Sequence, residues 1–228
     1  MQAPNGSISL IVVSCRRLTL GVALSVLVLA GAPPATAAQN GRDRLFGTEA
    51  VESADLSAFT KWADALARFH REETFVVGPC NGNSLDGCDQ ERWRNFISKA
   101  RGLSPRAQIE AVNREMNGHR YIVDEQNWGR TDYWASPGQF TRRDGDCEDF
   151  AIAKFLALRT LGFANEDLRI VILQDLNLRL AHAVLVVYHQ EEYLVLDNQI
   201  RTVVPADVVR HYRPIYSINE TRWWLHQP

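Results

Sequence analysis

The apolar pattern of this chain changes character once, near residue 147, and that change constrains the fold more than any other feature. Before it, the pattern is helical. Leu56, Phe59, Trp62, Leu66 and Phe69 recur at helical spacing between Ser53 and about Arg71. A second helix is expected from Asp89 to Ala100, with Trp93, Phe96 and Ile97 on one face. Ser104-Pro105 reads as the N-cap and first position of a third, running through Met116. The stretch from Asp132 to Gly138 reads as a loop bearing two aromatic rings. At the change itself, Cys147 to Leu161 forms a fourth helix, with Ala151, Phe155, Leu158 and Leu161 on its apolar face. Beyond it come strand patterns at Leu168–Leu173, His182–Tyr188 and Tyr193–Asp197, with Gln190-Glu191 as the turn between the last two. A short helix near Pro205–His211 and a last strand around Ile215–Leu225 complete the chain. Helices first, then one helix followed by antiparallel strands, define an α+β class.

The first 37 residues read as a cleaved signal peptide rather than as part of this fold. Arg16 and Arg17 precede an uncharged apolar run from Leu18 to Gly31, followed by Pro33-Pro34 and an Ala35-Thr36-Ala37 cleavage site. The run is short for a bilayer span, so export is expected. Residues 38–52 are polar and expected to be flexible, and 53–228 form a single domain. The formal net charge of −2 and the scatter of Lys and Arg among acids leave no basic stripe, which excludes a nucleic-acid footprint.

The four cysteines then sort themselves. Cys15 falls in the signal peptide. Cys80 and Cys88 flank a loop of turn formers, Asn81 to Gly87, and are expected to form a disulfide in an oxidising compartment. Cys147 is left as the odd thiol, and it sits inside an acidic run, Asp144-Gly145-Asp146-Cys147-Glu148-Asp149, at a helix start. Carboxylates there complement the helix dipole. Beside a nucleophile they would also raise the thiol pKa. A bound hard cation such as Ca2+ would resolve that conflict, because oxygen-rich clusters of this kind suit it.

Two further residues can join Cys147. If residues 189 and 192 close a two-residue turn, His182 lies opposite Gln199 and Asp197 lies opposite Val184. His182 and Asp197 are then diagonal neighbours on one face, within hydrogen-bonding reach. A helix N-terminus and an adjacent imidazolium both favour a thiolate at Cys147. Asp197 would hold the ring of His182 and fix its tautomer.

Four segments together resemble the bacterial transglutaminase-like cysteine proteinases, which include the LapG-type periplasmic proteases. They are Asp132-Tyr133-Trp134-x-x-Pro137, Gly145-Asp146-Cys147-Glu148-Asp149-Phe150-Ala151, Ala181-His182-Ala183-Val184-Leu185 and Leu194-Val195-Leu196-Asp197-Asn198. The resemblance spans about residues 50–225. It implies a papain-like, transglutaminase-type core in which the nucleophile helix packs on an antiparallel sheet. Cys147 would be the nucleophile, His182 the base and Asp197 the orienting group. It also implies a calcium requirement met by the carboxylates flanking the nucleophile, Asp146 and Glu148, with Asp144 and Asp149 left open. Such enzymes act in the periplasm on a large surface adhesin near its N-terminus, releasing cells from biofilm. They are restrained by the periplasmic domain of an inner-membrane cyclic di-GMP receptor. Amide transfer, cell-wall amide cleavage and a non-catalytic calcium- or partner-binding role are the alternatives on the same core.

Overall fold

The computed structural model describes residues 44–74 and 85–227. The expected signal peptide lies outside the described residues, as does Cys80 and with it the expected bridge to Cys88. In chain order the elements are β1 (Glu49–Ser53), α1 (Thr60–Thr74), α2 (Leu85–Ala100), α3 (Pro105–Met116), α4 (Asp124–Asn127), α5 (Pro137–Arg143) and α6 (Cys147–Thr160). There follow β2 (Leu168–Asp175), β3 (Leu180–His189), β4 (Glu192–Leu196), β5 (Val204–Pro205), β6 (Tyr212–Ile218) and β7 (Trp223–Gln227). The strands form one antiparallel sheet in the order β1-β7-β6-β2-β3-β4-β5. The α+β class expected from the apolar pattern is therefore the observed one.

The central strands β2 and β3 are apolar almost without a break because both faces of the sheet are covered. Ile170, Ile172, Ala183, Leu185, Leu194 and Leu196 share a core with the helices. The alternate residues, Val171, Leu173, Val184, Val186 and Val195, pack on the opposite face beneath Leu45, Ala206, Val209 and Tyr212. Helix α6 lies against β3 and β2 on one side and against α3 and α5 on the other. Every residue from Cys147 to Leu158 is consequently buried, which is why this helix lacks a polar face.

Several boundaries differ from the sequence expectation, each for a local reason. Helix α1 starts at Thr60 rather than Ser53 because short polar side chains capture the backbone ahead of it. The Asp55 N–H donates to Ser53 Oγ, and the Ser57 N–H donates to Asp55 Oδ1. Residues 44–52, placed by sequence within a flexible segment, instead bury Leu45 and, with Ser53, add β1 to the edge of the sheet against β7. His226 bridges this edge, contacting Thr48 Oγ1 and Ser217 Oγ at 2.9 Å each. The single last strand is two, β6 and β7, because Asn219 Oδ1 accepts from the N–H groups of Thr221 and Arg222 and turns the chain. The helix near Pro205–His211 is one 3-10 turn at Ala206–Val208.

Candidate active site

The acidic run is a tight connection between two helices. Asp144 ends α5 in the left-handed region, with φ of 62°. Its carboxylate accepts from the Arg120 side chain at 2.8 Å and contacts His119 Nδ1 at 3.0 Å. Gly145 pairs with Tyr121, the Ile122 N–H donating to its carbonyl at 2.8 Å. Asp146 is the N-cap of α6 and Cys147 its first residue. Asp149, one turn in, accepts from the Asp146 N–H at 3.3 Å and from the Ala135 N–H at 2.6 Å. That folded-back carboxylate is why residue 145 is glycine: a Cβ there would stand 2.2 Å from Asp149 Oδ2 and 2.6 Å from its Cβ. Gly145→Ala is accordingly expected to cost about 1–3 kcal/mol, read as a lowered Tm, through displacement of Asp149.

Cys147 is fully buried, in the same apolar cluster as Ala181 and Ala183, the two neighbours of His182. Its Sγ lies 3.0 Å from Glu148 Oε2. Neither Cys88 nor Cys147 is a free thiol in this structure. A thiolate at Cys147 would require its reduced form.

The hairpin register is the one derived from spacing. His189 pairs with Glu192 and Leu185 with Leu196, so His182 and Asp197 fall on one face. His182 Nε2 meets Asp197 Oδ1 at 2.9 Å, both groups buried. Two further donors hold the carboxylate, and a third holds the backbone of Asp197. The Gln199 N–H donates to Oδ1 at 2.9 Å, the Tyr212 hydroxyl donates to Oδ2 at 2.5 Å, and Asn117 Nδ2 donates to the Asp197 carbonyl at 2.7 Å. Burial alone would raise the Asp197 pKa. The hydrogen bond and charge of His182, with the Gln199 and Tyr212 donors, outweigh it and hold the carboxyl below the usual range. His182 Nδ1 points away from this pair, with the Gln199 side-chain amide 3.5 Å off.

The carboxylates at the head of α6 converge with two others that the sequence left without a role. Ligand oxygens of Asp124, Asp146 and Asp149 lie within 4.8 Å of one another, as do those of Asp124, Asp132 and Glu148. Asp146 and Glu148, the expected pair, thus each join Asp124 but in different groups. Asp149, left open, belongs to the first, and Asp144 belongs to neither. Burial pushes Asp146 up to about 7, with Asp124 and Asp132 adding to the rise. It pushes Asp124 up to about 6 despite the Tyr133 N–H that bonds it. Glu148 and Asp149 are raised well above their ordinary values, again by burial first and Asp146 second. Buried oxygens of Asp124 and Asp146 face no hydrogen-bond partner. An all-oxygen set of buried, mutually repelling carboxylates, with open oxygens on Asp124 and Asp146, fits a hard divalent cation such as Ca2+. Asp124 was missed because it sits in the mixed stretch after Tyr121. The clue was two further acids, Asp124 and Asp132, ahead of the aromatic pair Tyr133-Trp134.

A family model described as Bacterial transglutaminase-like cysteine proteinase BTLCP matches residues 80–226. This chain belongs to that family. Among solved structures, the proteinase is similar to Legionella pneumophila LapG after EGTA treatment, with 29% identity over 72% of this chain and 86% of that one, at a TM-score of 0.58. The calcium-bound Legionella pneumophila LapG matches with 29% identity over 71% and 87% of the two chains, at 0.57. No curated protein sequence matches. The proteinase is thus a transglutaminase-like cysteine peptidase on an α+β core.

Proposed function

We propose that this proteinase is a calcium-dependent periplasmic endopeptidase whose catalytic set is Cys147, His182 and Asp197. The observation that carries the reading is the buried 2.9 Å contact between His182 Nε2 and Asp197 Oδ1, which leaves Nδ1 for a thiol. Asp197 fixes the tautomer and orientation of the ring, and His182 takes the proton of Cys147. The Cys147 thiolate attacks a peptide carbonyl, and His182 returns the proton to the leaving amine. Water activated by His182 then hydrolyses the acyl-enzyme. N–H groups at the start of α6 are suited to hold the oxyanion.

Asp124, Asp146 and Asp149 would hold the calcium ion, with Glu148 and Asp132 beside it. Its charge would offset the negative field at Cys147. That a similar structure, Legionella pneumophila LapG, is calcium-bound supports calcium as the ion. By family resemblance, the substrate is a large surface adhesin cut near its N-terminus. The restraining partner is the periplasmic domain of a cyclic di-GMP receptor in the inner membrane, so that cleavage governs release from biofilm.

The test is incubation of the reduced chain with the N-terminal fragment of a candidate adhesin, with and without EGTA. Cleavage should disappear on chelation and return with added Ca2+. Cleavage indifferent to chelation would overturn the calcium assignment.

A further inference from the structure

The turn at residues 45–48 carries an unexpected residue for its shape. Leu45 and Thr48 pair across two central residues that are both left-handed, Phe46 at φ 51° and Gly47 at φ 76°. Asn, Asp or Gly ordinarily fills such positions, because a bulky side chain is strained there. A phenylalanine persists in that conformation where its surroundings require the ring in one place. The turn is also clamped. Leu45 is fully buried, and its carbonyl accepts from the Thr48 N–H at 3.1 Å and from the Thr48 hydroxyl at 2.8 Å. His226 Nδ1 meets that hydroxyl at 2.9 Å.

The group that requires the ring is Tyr212. Phe46 meets it edge-on at 6.0 Å between ring centres, and His211 closes on it at 4.5 Å. Leu45 and Tyr212 belong to one buried cluster, with Phe46 packed against it. Tyr212, seated in this way, touches both members of the pair at the site. Its hydroxyl donates to Asp197 Oδ2 at 2.5 Å, and its ring centre lies 5.9 Å from that of His182. Burial first and the Asp197 charge second push the phenol well above its ordinary value, so the hydroxyl keeps the proton it donates. A short bond to a charged acceptor opposes rotation of the carboxylate, whose other oxygen is on His182 Nε2.

We propose that Phe46 and Tyr212 are positioning residues for the His182–Asp197 pair: the 45–48 turn seats the Tyr212 ring, and the Tyr212 hydroxyl holds Asp197 so that its other oxygen stays on His182. The catalytic part of this role rests on the reading of Cys147, His182 and Asp197 given above. The turn lies ahead of residue 80, where the family match begins, so this support comes from outside the matched core.

The test is NMR of the His182 Nε2–H proton in the reduced full chain, assigned by its loss in His182→Gln, with Tm measured alongside. Tyr212→Phe keeps the ring and removes the donor. Exchange of the proton with water should then quicken on the order of tenfold or more, read as broadening of its resonance. Phe46→Asn removes the ring but suits the left-handed turn, and it should broaden the same resonance. Phe46→Tyr keeps an aromatic ring and should leave it sharp. If the turn serves stability alone, Phe46→Asn alters Tm and leaves the resonance as sharp as in wild type. That result, or an unmoved resonance in Tyr212→Phe, overturns the proposal. Should Tyr212→Phe fail to fold, the two Phe46 variants, which leave Tyr212 itself intact, carry the test. The resonance is read without turnover. Full cleavage by a Cys147→Ala chain would therefore sink the catalytic reading and leave the coupling from Phe46 to His182 standing. Sharp resonances in variants of a chain that still needs Cys147 would sink the coupling alone.

Discussion

Cys147→Ala is expected to abolish cleavage of an adhesin fragment, lowering kcat/KM by on the order of ten-thousandfold or more. The thiolate is the only proposed bond-forming atom, so nothing in the site replaces it. Against the reduced wild-type chain the loss should come with an almost unchanged Tm, because alanine fits the first position of α6 and removes one small buried group. His182→Ala should match the loss, since attack and leaving-group protonation both pass through the ring. Asp197→Asn should cost less than either, because the ring remains in place while its tautomer is no longer enforced. Equal cleavage by Cys147→Ala and wild type, measured by gel densitometry of the fragment, would remove the catalytic reading altogether.

The second large effect is the pH dependence of stability after chelation. Without an ion, Asp146 is pushed up to about 7 and Asp124 to about 6, against an ordinary value of 3.8. The native chain then holds protons that the unfolded chain has already released. The contribution of these two carboxyls to stability is fullest below pH 4 and is lost as pH rises toward about 7, by on the order of several kcal/mol. Calcium would reverse that slope by pairing the ionised carboxylates. At a thousandfold excess over Kd it adds about 4 kcal/mol, or roughly 10 °C in Tm for a chain of this size. His226 works in the other direction. Burial pushes it down to about 4, so its protonation costs stability as pH falls below about 6.5. It lies away from the acidic cluster, between Thr48 and Ser217, so the difference between the melting curves with Ca2+ and with EGTA isolates the carboxylates. Superimposed curves at pH 7 would exclude a role for the ion in the folded state.

The residues that were legible in the sequence are those whose partners lie at fixed spacing. The His182–Asp197 contact followed from a two-residue turn and the period of a strand, and β3 and β4 hold that register. Cys147 at a helix start followed from an apolar pattern beginning at a polar cluster. Asp124, Asp132 and Tyr212 were not legible, for a common reason. Each reaches its partner through a connection of no regular period: the 121–136 stretch or the segment between β4 and β6. Strand β1 was hidden for another reason. Glu49-Ala50-Val51-Glu52-Ser53 is mostly solvent-facing at the sheet edge, so it carries little of the alternation that marks a half-buried strand.

Asp124 also bears on what calcium affinity would report. The other two members of its group stand on one rigid helix turn, at Asp146 and Asp149, whereas Asp124 arrives on a separate stretch of chain. That stretch is joined to the connection ahead of α6 by the Tyr121–Gly145 bridge, by Asn127 Nδ2 donating to the Asp144 carbonyl and by Arg143 donating to the Asn127 carbonyl. An ion spanning both pieces would act as a cross-link, and its dissociation constant would contain the entropy of closing the stretch between them. Loosening the 121–133 stretch, by glycine substitution at a non-ligand position such as Gln126, should thus weaken calcium binding while every ligand remains in the chain. Affinity at this site would gauge the order of the loop as much as the chemistry of its oxygens.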